Sequence, residues 1–293
     1  MLRNGFGGRH GNKSTRSTGK IRVADKSSNF LNLVKHIGGD ELLFCVDALS
    51  INDIATDAAV TNWNDAWGVW NTYFTEGTNK PALGVYNGKR ALSFDGQNDF
   101  MASNAGVTQI NGKKKLSVVY FLKNDRTTYA FGYVLEMDTN YYSSNAFIMG
   151  QNSNKADYNV YIALHQGATY NIGGIVGNDA YVNANLPLVY GAVFDRDSPG
   201  AGVNKCVKPY INGSPTPDGS IYSTGGTADM TAAFSTNKTF YLGKRKSPGP
   251  PGFLKGSIGC IVAIMRDLTA GEMSRLSAAM LDRWNVGNGA PLK

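Results

Sequence analysis

Short apolar runs, cut at close intervals by Asp-Gly, Asn-Gly and Pro-Gly pairs, dominate this chain, while long helical periodicity is rare. That punctuation favours an antiparallel β protein, because each pair supplies the turn that sends a short strand back on itself. In the stretch Ala91–Met101, Leu92 and Phe94 alternate with polar neighbours at a period of two. Asp95-Gly96 then offers a turn and Phe100 resumes an apolar run, so the spacing predicts a hairpin on a half-buried sheet. Further strands are predicted at Leu42–Val46, Leu116–Leu122, Tyr133–Asp138, Tyr158–Leu164, Leu186–Asp195, Thr239–Gly243 and Phe253–Met265.

Leu116–Leu122 and Ile258–Met265 are apolar at successive positions, which predicts burial on both faces and a central place in a sheet. Asn212-Gly213, after Tyr210-Ile211, predicts a type I′ turn with Tyr210 and Ile211 on opposite faces. Thr269 and Glu272 form a capping box ahead of Met273, Leu276, Met280 and Trp284 at helical spacing, predicting a short C-terminal helix. A chain of 293 residues with 42% hydrophobic content can fill one large core.

The net charge of +7 is local. Residues 1–36 carry eight lysines and arginines against Asp25 alone, and the other twenty-one cations are matched by twenty-one acids. Any electrostatic attraction therefore belongs to the front of the chain, where Arg3, Arg9, Lys13, Arg16, Lys20 and Arg22 are the candidate docking residues. Up to about Asn29 the composition is Gly-, Ser- and Arg-rich, that of a flexible arm that orders on a partner or stays solvated; Phe30, Leu31, Val34 and Ile37 then fall at helical spacing. The neutral remainder argues against a nucleic-acid partner.

Cys45, Cys206 and Cys260 are far apart with no Cys-x-x-Cys spacing, so they predict neither a disulfide framework nor a metal site but small buried hydrophobes. No apolar stretch of secretory-signal length opens the chain, and no run is long enough for a membrane helix. His10, His36 and His165 belong to no recognisable triad. Lys113-Lys114-Lys115 reads as a solvated turn, and Lys244-Arg245-Lys246 as a solvated rim loop.

Four separated motifs occur in order: Trp63-x-Asp65, Ser93-Phe94-Asp95-Gly96 with Asn98-Asp99-Phe100, Tyr210-Ile211-Asn212-Gly213, and Leu268-Thr269-x-x-Glu272 before a helix ending near Trp284. Together they resemble the laminin-G-like, concanavalin A-like lectin/glucanase superfamily over about residues 41–286. The resemblance implies an all-β, two-sheet antiparallel jelly roll with a short C-terminal helix. The implied division is an arm at 1–40, with a possible short helix, and a jelly-roll domain at 41–293.

The glucanase branch of that superfamily bears its catalytic carboxylates on a Glu-x-Asp-x-x-Glu strand. Here Glu136 and Asp138 match the first half, but Tyr141 stands where the second Glu belongs. Without two suitably spaced carboxylates there is no acid and nucleophile for glycoside hydrolysis, so no catalytic residue, cofactor or metal is expected. Gly259-Cys260 stands where many members of the family have acidic residues, a departure that argues for a strand buried on both faces and against an inherited metal site there.

Trp67, Trp70 and Tyr142 are the candidate sugar-stacking residues, on the loop rim or the concave sheet face, although aromatics at this density more often pack a core or an interface. The expected function is a non-enzymatic structural or decorating protein of a tailed-phage virion, assembled in the host cytoplasm. It would be anchored through the arm to other virion proteins within an oligomer or larger assembly, with surface glycans as further partners. The alternative is a carbohydrate-binding or adhesion module outside any particle.

Overall fold

The computed structural model describes residues 26–66, 73–76, 79–104, 106–125, 131–137, 144–152, 160–166, 169–175, 187–198, 206–215, 221–225, 230–245 and 252–286. Among them the strands, numbered in chain order, form two antiparallel sheets that pack as a sandwich, as the sequence predicts.

The first sheet runs β14 (Ser214–Pro215), β13 (Val207–Ile211), β12 (Pro187–Asp195), β7 (Lys115–Asn124), β17 (Lys255–Ile264), β5 (Lys89–Asp95), β4 (Ala82–Tyr86). β1 (Leu42–Asp47) pairs beside β5 with the second half of β17. The second sheet runs β15 (Ile221–Gly225), β11 (Thr169–Ile175), β10 (Val160–Gln166), β9 (Phe147–Asn152), β8 (Phe131–Met137), β16 (Phe240–Leu242), β6 (Met101–Ser103), β3 (Tyr73–Glu76), β2 (Asn62–Asn64).

β17 is the centre of the first sheet, with β7 along one edge and β5 then β1 along the other. A bulge between Ile258 and Cys260 resets its alternation. Ile258, Ile261 and Ala263 enter the core between the sheets, while Cys260, Val262 and Ile264 face outward into a second apolar cluster. β7 divides in the same way, with Val118 and Tyr120 inward and Val119 and Phe121 outward.

Two helices close that outward face and explain its hydrophobicity. α1 (Lys26–Gly38) buries Phe30, Val34 and Ile37. α2 (Ala270–Arg283) buries Met273, Leu276 and Met280, and its start carries both bonds of the Thr269/Glu272 capping box. Trp284, at the end of α2, stacks on Phe121 at 4.9 Å. No described helix is long and apolar enough to cross a membrane.

The type I′ turn at Asn212-Gly213 is present, with φ of 48° and 79°. Tyr210 joins the outer cluster and Ile211 the inner one, as their alternation predicts. All three cysteines are buried and free.

Ala91–Met101 differs from its sequence reading. β5 lies in the first sheet and β6 in the second, so the segment between them is a corner and not a hairpin. Asp95 Oδ1 accepts the backbone N–H of Gln97 at 2.7 Å and of Asn98 at 3.2 Å, while Asp99 Oδ2 accepts that of Asp95 at 2.9 Å. These bonds hold an arch instead of a two-residue reversal. The hairpin into β5 is upstream, at Asn87-Gly88, where φ is 48° and 73°.

Candidate functional site

A polar cleft of about 450 Å³ opens at one end of the first sheet. β7 runs antiparallel to both β12 and β17, so its start lies beside the ends of the other two. Lys113, Lys114 and Lys115 meet there with Asp197 from the turn after β12 and with Met265, Arg266 and Asp267 after β17; Gly112 and Glu41 complete the lining.

The backbone beneath the cleft is pinned. Lys114 carbonyl accepts from Arg196 N–H at 2.9 Å and Lys113 carbonyl from Phe234 N–H at 2.9 Å. Ser117 Oγ donates to Arg266 carbonyl at 2.7 Å and accepts from Leu268 N–H at 2.9 Å. The guanidinium of Arg266 donates to Ile37 carbonyl at 2.7 Å and to both oxygens of Glu272 at 2.6 and 2.9 Å. That fork–fork contact raises Arg266 above its ordinary range and draws Glu272 down to about 2.

Charges of both signs alternate around the rim. Lys114 Nζ lies 3.1 Å from Asp197, and Lys115 Nζ lies 3.2 Å from Asp267 and 3.8 Å from Asp195. Lys115 is held above its usual value chiefly by its bond to Asp267. Burial works against the ionised form of Asp267, but the Lys115 bond, a backbone hydrogen bond and the charges of Lys115 and Lys208 together outweigh it and leave the carboxyl below the ordinary range. The Lys115/Asp267 pair is thus held in its charged form and offers a charge-assisted donor and acceptor.

The sequence-predicted stacking residues Trp67, Trp70 and Tyr142, and the arm residues Arg3, Arg9, Lys13, Arg16, Lys20 and Arg22, lie outside the described residues, as do Asp138 and Tyr141. Trp63 and Phe74, from the same aromatic region, are wholly buried in the inner core. Asp65 serves structure, its Oδ1 accepting Cys45 N–H at 2.8 Å. His165 is buried and pushed down to about 3, first by desolvation and then by Arg245 and Arg196.

Glu136 pairs in register with Tyr241 and Ile148. Phe240 and Phe147, their sequence neighbours, reach inward to Phe44 at 5.8 Å and Phe194 at 4.9 Å. Glu136 therefore belongs to the outer row of the second sheet, yet its exposure is 0%, as is that of Ile148 and Ala163 beside it. It lines neither this cleft nor the smaller cavity between α1 and α2. Among the described residues, helices cover the outward side of β7 and β17 and the row through Glu136, Ile148 and Ala163 is buried.

Two basic stretches depart from their sequence readings. Lys113–Lys115 is cleft wall instead of a plain solvated turn. Lys244 Nζ sits 3.4 Å from the centre of the Phe100 ring, and Arg245 lies over Tyr133 at 5.7 Å, so these two cations pack on aromatic faces where a rim loop was expected. The sequence signal for the cleft is the charge flanking three long apolar runs: Lys113–Lys115 before one, Asp195–Asp197 and Arg266-Asp267 after the others. Only their antiparallel order brings these clusters to the same edge.

No protein-family profile and no curated protein sequence matches the chain. Solved structures share its fold. The domain of botulinum neurotoxin type C studied for interaction with two ganglioside molecules matches with a TM-score of 0.59 and 11% identity, over 82% of this chain and 52% of that one. The type D ligand-binding domain in complex with N-acetylneuraminic acid matches at 0.56 and 11%, over 85% and 53%. The binding domain of neurotoxin DC in complex with rat synaptotagmin II matches at 0.57 and 10%, over 82% and 52%. The chain spans about half the length of these domains, and at such identities the likeness is one of fold.

Proposed function

We propose that the sandwich is a non-catalytic carbohydrate-binding module of the laminin-G-like, concanavalin A-like kind. The observation that carries this reading is the two-sheet fold, shared over more than four-fifths of the chain with receptor-binding domains, two of them described with gangliosides or N-acetylneuraminic acid. The position of Glu136 supports the non-catalytic part. A carboxylate sealed into a sheet row between Tyr241 and Ile148 has no path to a glycosidic oxygen.

The full chain applied to a glycan array, alongside a panel of β-glucans assayed for cleavage, tests both parts. Binding without cleavage is expected. Absence of any glycan signal overturns the binding part, and cleavage lost on Glu136→Gln overturns the other.

A particle-bound placement is a second reading, favoured by the concentration of the whole net charge in residues 1–36. Among the matched toxin domains described above none is a virion protein, so the tailed-phage assignment rests on the sequence alone. Deleting residues 1–25 and measuring incorporation into purified particles by mass spectrometry tests it, with normal incorporation counting against the arm.

A further inference from the structure

The polar cleft has the size of a small-ligand site, about 450 Å³ against the roughly 300–1,000 Å³ typical of such pockets. Its floor is fixed by the backbone bonds around Ser117, Arg196 and Phe234, so binding would require little ordering of the chain. What it presents is unusual for a charged site, because three of its four cations, all but Lys113, have a carboxylate at hand. Lys114 faces Asp197, Lys115 faces Asp267 and Asp195, and Arg266 faces Glu272.

An anion entering this cleft would gain from four cations, Lys113 among them, and lose to five carboxylates, Glu41, Asp195, Asp197, Asp267 and Glu272, in or beside the lining, so attraction and repulsion largely offset in so open a site. A hydroxyl group fares differently. It donates and accepts at once, and can accept a hydrogen bond from a lysine ammonium while donating its own to the neighbouring carboxylate, both bonds being charge-assisted. Among the described residues no aromatic ring lines the cleft, so recognition there would fall on hydroxyls and not on an apolar sugar face.

We propose that this cleft is the glycan seat, and that it takes a neutral saccharide with vicinal hydroxyls, bridged by the Lys115/Asp267 and Lys114/Asp197 pairs, in preference to an acidic sugar. The proposal rests on the carbohydrate-binding reading and adds to it a place and a ligand class. It also separates this chain from the acidic sugar described with the type D toxin domain.

The test uses the full chain on matched neutral and sialylated oligosaccharides, lactose and sialyllactose among them. Lactose-type glycans should bind, with a signal that changes less than about twofold between about 50 and about 500 mM salt. Asp267→Asn and Lys115→Gln should each weaken that signal by about tenfold or more, since each leaves a hydroxyl facing only half of its pair. Both side chains are well exposed, at 46% and 34%, so the melting temperature should move by no more than about 2 °C, and lost binding would not be lost fold.

Lys114→Gln, on the other pair, gives an independent reading of the same wall. Neutral glycan binding that survives all three replacements would overturn the seat while leaving the lectin reading intact. Preferential binding of sialyllactose, falling steeply with salt, would overturn the ligand class. A blank array would remove the carbohydrate reading and this inference with it.

Discussion

Replacing Gly259 by alanine adds one methyl group at the place where the sheet meets its helical cover. A Cβ there would lie 2.5 Å from Trp284 Cε2, 2.6 Å from Trp284 Cζ2 and 2.8 Å from Phe121 Cδ1. Neither ring can retreat cheaply. The indole is fully buried, stacked on Phe121 at 4.9 Å, and tied by its Nε1 to Arg90 carbonyl at 3.1 Å. Overpacking of this kind costs about 1–3 kcal/mol, and a displaced indole would also forfeit a hydrogen bond of about 1 kcal/mol. A total near 2–4 kcal/mol corresponds to a fall of about 3–7 °C in Tm for a chain of this size. Gly271→Ala, where a Cβ meets nothing within 4 Å, should be neutral or stabilising by up to about 1 kcal/mol. A double-mutant cycle isolates the cause: once Trp284→Ala has emptied the space, Gly259→Ala should add less than about 0.5 kcal/mol. Thermal denaturation of the four proteins settles the matter. An unchanged Tm in Gly259→Ala, or an equal cost in both backgrounds, would refute the packing argument.

Ile261→Asp should abolish soluble expression, because a carboxylate in the inner core costs several kcal/mol against a total stability of about 5–15; a soluble variant with the parental Tm would contradict it. Glu272 titrates at about 2 in the folded chain against 4.5 unperturbed, so its contribution is present above the higher value and lost as pH falls towards the lower. The stability gap between the parent and Glu272→Gln, read by urea denaturation, should therefore be constant above about pH 5 and close on acidification. Arg283→Met strips the buried Asp47 carboxylate of its cation and should cost about 3–5 kcal/mol at neutral pH. Burial already raises Asp47 and Arg283 opposes that rise, so without Arg283 the folded state holds a proton more tightly still. The deficit should then shrink as pH falls, and one that grew on acidification would show that Asp47 is not its source.

Much of the architecture was legible because periodicity encodes it directly. Runs apolar at successive positions, Leu116–Leu122 and Ile258–Met265, demanded cover on both faces, and the structure supplies it with the second sheet on one side and α1 and α2 on the other. The Asn212-Gly213 turn and the Thr269/Glu272 cap are local devices whose partners are within a few residues, so sequence suffices for them. The Asp95–Asp99 corner misled for a matching reason. An Asp-Gly pair fits a tight hairpin, but three backbone donors gathered by Asp95 build an arch, and which sheet the next strand joins is decided by non-local pairing of β6 with β16 and β3.

Lys113–Lys115, taken alone, has the composition of a solvated turn. Its counter-charges at Asp197 and Asp267 are 80 to 150 residues away in sequence, and only the antiparallel order of β12, β7 and β17 makes them neighbours at 3.1 and 3.2 Å. The same order decides where a ligand can be received. In a sandwich with both sheets free, a binding groove can form on a sheet face. Here the outward residues of β7 and β17 are committed to helices, and the outer row through Glu136, Ile148 and Ala163 is sealed. The proposed seat is at the strand ends, where chain reversals must carry polar groups and where an antiparallel sheet brings the start of one strand to the finish of its two neighbours. A cleft built from such an end inherits charges of both signs, because the basic lead-in of β7 meets the acidic exits of β12 and β17, and that mixture is what the proposed preference for hydroxyls over anions rests on.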